Sequence, residues 1–180
     1  MESTLIRSDL LTLAAFLAAG ATAQAKDVIA EATRYTVQMS TSVEYAFGSE
    51  SKGTSHGSAF LIDKQRGWIA TNAHVVERSP SRVRVSFKDN PYVTTEKVYI
   101  DNHLDFAIVK IDPAKIPDTA IEAQLECGKA PAAGAPVIGF GHPWNLDYTA
   151  TRGIISGAKT ISSVEELQTD TAINPGNSGG

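Results

Sequence analysis

Residues 57–76 read GSAFLIDKQRGWIATNAHVV. Two strand-length runs, GSAFLID and GWIATNAHVV, are rich in β-branched, aromatic and other apolar side chains, with turn-forming residues between them. The same kind of run recurs outward on both sides. Before it stands YTVQMSTSVEYAF (Tyr35 to Phe47); after it come SRVRVSFKD, YVTTEKVYID and DFAIVKID. In the first of these, Tyr35, Val37 and Met39 fall on one face and Thr36, Gln38 and Ser40 on the other, the period-two pattern of a half-buried strand. GSESKGTSH, between the first two runs, is a loop by composition, and DVIAEATR ahead of them suits a short helix. A second set, APVIGFGHP, DYTATRGIISGAKT and ELQTDTAI, follows Pro131. Asp112 to Ala135 lacks alternation and holds three prolines, so it reads as a connection between two β units. Many short strands with almost no helical periodicity predict an all-β barrel or sandwich.

Composition narrows the function classes. With 180 residues, the chain fits one domain or two small halves sharing an interface. Its net charge of -4 and lack of a basic run argue against nucleic acid or acidic lipid as a partner. Cys127 is the only cysteine, which excludes an intrachain disulfide and a cysteine-based zinc cluster; LECGKA around it suggests an inert, partly buried small residue. His56, His103 and His142 lack metal-type spacing and are expected in surface or loop roles. No metal or organic cofactor is expected. The start, LLTLAAFLAAGATAQA (Leu10 to Ala25), is apolar and ends in small-x-small patterns that suit signal peptidase. It is shorter than a typical membrane span of roughly 20 residues. Residues 1–25 are therefore expected to be a signal peptide, with an N-terminal membrane anchor as the alternative. Export to the periplasm or outside the cell follows from the first reading.

Three stretches carry residues suited to chemistry: TNAHVV with His74, HLDFAIVKI with Asp105, and NPGNSGG with Ser178. Each alone is ordinary: a packed or capping histidine, a strand-end aspartate, a serine in a turn. Together they form a set. A serine hydroxyl is a poor nucleophile until a base removes its proton. Imidazole titrates near neutrality and suits that task, and a carboxylate behind it fixes the tautomer and stabilises the imidazolium. Asp101 and Asp112 compete with Asp105 for the carboxylate role. The chain order His, Asp, Ser matches the chymotrypsin arrangement and differs from those of subtilisins and α/β-hydrolases. GNSGG (Gly176 to Gly180) has G-x-S-x-G spacing but follows the turn-formers Asn174 and Pro175 rather than running directly off a strand as a nucleophile elbow does, which disfavours an esterase.

GSAFLID…GWIATNAHVV, DFAIVKI, VIGFGHPWNLDYTATRGIISG and LQTDTAINPGNSGG together resemble the protease domain of the HtrA (Deg) family, trypsin-like serine proteases of the chymotrypsin fold. The resemblance runs from about Val28 to Gly180. It implies a double β-barrel, its second barrel incomplete in this chain. The expected boundaries are 26–180 for the protease domain, with the first barrel at about 33–112, the connection at about 113–133 and the partial second barrel at about 134–180. It implies His74 as general base, Asp105 as orienting carboxylate, Ser178 as nucleophile, and the N–H groups of Gly176 and Ser178 as oxyanion donors. Asp105 directly precedes the apolar FAIVK, as the family motif requires. Glycines around Ser178 let the backbone turn its N–H groups toward a substrate carbonyl.

The implied activity is endopeptidase cleavage of unfolded or damaged polypeptides through an acyl-enzyme, with polypeptides as partners and homo-trimers by family habit. The alternative is a catalytically inactive, polypeptide-binding fragment, because strands that follow the nucleophile in this fold, and any PDZ domain, lie outside the 180 residues. On that ground the isolated polypeptide is expected to be poorly stable and weakly active or inactive. Two departures stand out. Asn177 occupies the place where digestive relatives carry aspartate, so activation by a new N-terminus is not expected. GFGHPW has His142 and Trp144 where the family commonly shows Asn and Phe, a change expected to alter a loop near the active site while touching no catalytic position.

Overall fold

The computed structural model describes residues 28–161 and 164–180. The expected signal or anchor at residues 1–25 lies outside them. Residues 28–35 form a helix, α1, which delivers the chain directly into β1 (Thr36–Val43). Ten strands follow, interrupted by one helical turn, α2 (Ala73–Val76), and two 3-10 turns. The fold is all-β.

The strands form two sheets. The first contains β2 (Gly53–Asp63), β3 (Trp68–Thr71), β4 (Ser81–Ser86), β5 (Val93–Thr94), β6 (Glu96–Asp101) and β7 (Phe106–Lys110), in the order β5-β4-β1-β2-β3-β7-β6. All the described pairings are antiparallel. It curls around a core of Val37, Met39, Ala59, Leu61, Ile69, Val83, Val85, Val109 and their neighbours. Burying each large apolar side chain contributes about 1.5–3 kcal/mol relative to exposure, so this cluster dominates the driving force. The second sheet has three strands, β8 (Pro136–Gly141), β9 (Thr149–Ile161) and β10 (Val164–Thr169), with the thirteen-residue β9 in the middle. Between the sheets, the connecting segment is stitched back to the first: Ile121 N–H donates to the Arg34 carbonyl and Ala123 N–H to that of Leu61.

Five readings of the sequence are corrected. Tyr35 is helical and β1 ends at Val43, not Phe47. That strand is not half-buried, because it lies between β2 and β4 and its polar residues Thr36, Ser40 and Thr41 are buried as well as Val37 and Met39. The stretch expected to be a loop contributes Gly53 to His56 to β2, since the register with β1 continues to Gly53 opposite Val43. Cys127 is exposed, not partly buried, because its segment pairs with neither sheet. His142 is not at the surface: it lies in the loop after β8, as a loop role allows, but is wholly buried there.

Candidate active site

β3 delivers the chain to Thr71, Asn72 takes an extended conformation, and α2 begins at Ala73. Ala73, Val75 and Val76 are buried, which pins the turn to the core and leaves His74 as its outward side chain. Opposite, Asp105 immediately precedes β7 with a left-handed backbone (φ 48°). An aspartate tolerates that region better than most residues. Its carboxylate holds His74 at two points: Oδ1 accepts the backbone N–H at 2.9 Å and Oδ2 lies 2.7 Å from Nδ1. The Asn72 side-chain amide donates to the Asp105 carbonyl at 2.8 Å, bracing the strained residue. An acceptor against Nδ1 keeps the ring proton there and leaves the Nε2 lone pair free to take another.

The competing carboxylates are used elsewhere. Asp101 accepts the N–H groups of His103 and Leu104, and Asp112 caps a 3-10 turn through Ala114 N–H. The structure therefore joins Asp105, of the three, to His74.

Ser178 belongs to a loop wedged between the sheets. Its carbonyl accepts the Ser58 N–H of β2 at 2.8 Å. Gly57 shows how close the two candidate segments come. A Cβ at that position would stand 2.7 Å from Val75 Cγ1 in the His74 turn and 3.2 Å from the Ser178 carbonyl oxygen. A residue without a side chain is what lets the turn bearing His74 and the loop bearing Ser178 meet over the same face of β2. Gly176 has φ +101° and sits against the His142 carbonyl, where any side chain would overlap it. Two tight turns close the loop, Asn177 N–H to the Asn174 carbonyl (3.0 Å) and Gly180 N–H to that of Asn177 (2.8 Å).

Several residues here were missed in the sequence. GFGHPW was expected to alter a loop near the active site without touching a catalytic position; Trp144 N–H donates to the Pro175 carbonyl at 2.7 Å, and His142 packs directly on Gly176, one of the expected oxyanion donors. Ser58 meets the same loop, and the only signal for it was a small polar residue inside an apolar strand. Burial pushes the His142 imidazole down to about 4, so it is neutral at physiological pH. Beside His74, a cavity of about 410 Å³ is bordered by Glu77, Glu50 and the start of β2. The Glu50 carboxylate accepts the N–H groups of Arg78 (2.7 Å) and Ser79 (2.8 Å) and the Ser79 hydroxyl. These bonds, the hydroxyl's foremost, hold its pKa down at about 2.

Residues 57–180 match the family described as trypsin-like peptidase domain. The chain is 38% identical over 141 residues to a probable periplasmic serine endoprotease, DegP-like, of Halomonas elongata, covering 75% of this chain and 28% of that protein. It is 36% identical over 156 residues to the serine protease Do-like HtrA of Bacillus subtilis, covering 74% and 33%. Among solved structures, the HtrA-type protease AlgW with tripeptide superposes with a TM-score of 0.68 at 28% identity, covering 84% of this chain and 47% of that one. The serine endoprotease from Yersinia pestis gives 0.62 at 30%, covering 83% and 50%. The aligned part thus spans about a third or less of these curated relatives.

Proposed function

Because the chain belongs to the trypsin-like peptidase family, in its HtrA branch, we propose that it carries the catalytic machinery of a serine endopeptidase. His74 Nε2 takes the Ser178 hydroxyl proton as Oγ attacks the scissile carbonyl. Asp105 stabilises the imidazolium that results. The N–H groups of Gly176 and Ser178 receive the developing oxyanion, each such donor being worth roughly 3 kcal/mol. The imidazolium then protonates the leaving amine, and water, activated by the same ring, releases the acyl group. The observation that carries this reading is the two-point grip of Asp105 on His74, on a turn separated from the Ser178 loop by only a glycine.

The substrate class we infer is unfolded or damaged polypeptide in an exported compartment. The family resemblance and the periplasmic names of several relatives support it. The expected leader at residues 1–25, the division into two barrel units joined by about 113–133, and the trimeric state belong to the same proposal. The test offers the protein a permanently unfolded polypeptide beside its folded parent. Cleavage of the unfolded form alone, lost in Ser178→Ala, is expected. Equal cleavage by Ser178→Ala, or binding of the unfolded form without cleavage, overturns the endopeptidase reading, and the latter outcome selects the polypeptide-binding alternative.

A further inference from the structure

Ser58 lies inside β2 and is wholly buried. A hydroxyl in that position costs stability unless it is paired, and this one is fully used. Its Oγ donates to the Gly176 carbonyl at 2.8 Å, accepts the His142 backbone N–H at 2.9 Å, and lies 3.3 Å from His142 Nδ1. One donor and two acceptor positions exhaust a serine hydroxyl. The backbone of Ser58 works in the same direction: its N–H holds the Ser178 carbonyl, and its carbonyl accepts the Thr71 hydroxyl at 2.8 Å.

The loop's amide directions follow from its carbonyls. A trans peptide unit is planar, with C=O and N–H on opposite sides, so holding the oxygen aims the hydrogen. Trp144 N–H holds the Pro175 carbonyl, which turns the Gly176 N–H the other way. Gly180 N–H holds the Asn177 carbonyl, which does the same for the Ser178 N–H. Between these two units lies a third, Gly176 C=O to Asn177 N–H. It is clamped at one end by the Ser58 hydroxyl and at the other by the Asn174 carbonyl. Among the described residues, no carbonyl or side chain accepts from Gly176 N–H or Ser178 N–H.

We propose that Ser58 is a positioning residue for the reaction: its hydroxyl, steadied by His142, fixes the middle peptide unit and so keeps the flanking Gly176 and Ser178 N–H groups aimed at one point. The inference rests on the catalytic reading for the meaning of that point, but not for the clamp itself. A neutral His142 with its proton on Nδ1 completes a donor chain from ring to hydroxyl to the Gly176 carbonyl.

The test uses the full chain, isotopically labelled, with Ser58→Ala, Ser58→Cys and His142→Asn. Two readouts are taken: the amide resonances of residues 174–180, and the saturating rate and half-saturation of Ser178 modification by a fluorophosphonate. Ser58→Ala is expected to shift or broaden the Gly176 and Ser178 amides while those of β1, β3 and β7 stay in place. Its saturating rate should fall about 10- to 100-fold, at most the loss seen when one oxyanion donor is removed, with half-saturation little changed. Ser58→Cys, isosteric but a weak donor, should fall between, and His142→Asn, which keeps the backbone donor and supplies a side-chain one, should stay close to the parent. Unmoved amides, or an unchanged saturating rate, in Ser58→Ala overturns the proposal. Should the parent protein itself fail to react, the catalytic reading fails, and the amides alone decide whether Ser58 sets the loop.

Discussion

At the scale of single residues, His74 depends on one carboxylate for both its backbone anchor and its ring proton. Asp105→Asn keeps the shape but presents an amide that can donate to Nδ1 and favour the wrong tautomer. Serine modification is expected to fall about 10⁴-fold, the loss known for that exchange in the chymotrypsin template. Thermal stability should barely move, since the pair's side chains are 56% and 45% exposed and exposed ion pairs contribute little. A parallel loss of melting temperature would mean that the pair is structural. As candidates, His74, Asp105, Ser178 and the Gly176 turn stood out in the sequence because motif chemistry is local: a residue type, its neighbours and its order suffice to nominate them. Ser58 and His142 were not. Nothing in GSAF or GFGHPW states that the middle of β2 and the end of β8 converge on one loop, so a buried polar hub looked like strand filler and a loop histidine.

At the scale of elements, β-runs were legible from period and composition, whereas their edges were set by pairing. β1 appeared half-buried because its even positions are polar, yet Thr36 and Ser40 among them are covered once β2 and β4 flank it. Leu61, wholly buried on β2, offers a direct probe of the first sheet: Leu61→Ala is expected to cost about 2–5 kcal/mol in denaturant unfolding. A cost below about 1 kcal/mol would contradict the core described. The β1–β2 loop is fastened behind α2 by Glu50. Its folded pKa of about 2 lies below the ordinary carboxylate value of about 4.3. Glu50 therefore adds stability that is fully present above that ordinary value and lost as pH falls through it toward 2. Glu77 opposes this, because burial and the Glu50 charge raise its pKa, so its contribution weakens as pH rises. Melting temperatures between pH 5 and pH 2 should fall more steeply for the native chain than for Glu50→Gln. Parallel curves would show that the Ser79 contact does not hold Glu50 in solution.

At the scale of the molecule, burial is uneven. Among the described residues, Ile155 is the one buried apolar side chain from the three-stranded sheet, while Ile154, Ile161 and Leu167 of β9 and β10 are more than 40% exposed. Local stability follows buried contact. Amide exchange should therefore be slowest in β1, β2, β3 and β7 and faster in β9 and β10, and the reverse order would contradict the packing. This asymmetry was only partly legible: the two sets of strands and the connection between them stood out in the sequence, but which set owns the core depends on long-range pairing. The candidate site lies where the two sheets meet, with the proposed base and carboxylate on the first and the Ser178 loop held against both. The central claim is that these parts act together on Ser178, and active-site labelling by a fluorophosphonate tests it most directly. The account predicts modification at Ser178, abolished in Ser178→Ala and reduced by orders of magnitude in His74→Ala. Modification at another residue, or undiminished labelling of Ser178 without His74, would contradict it.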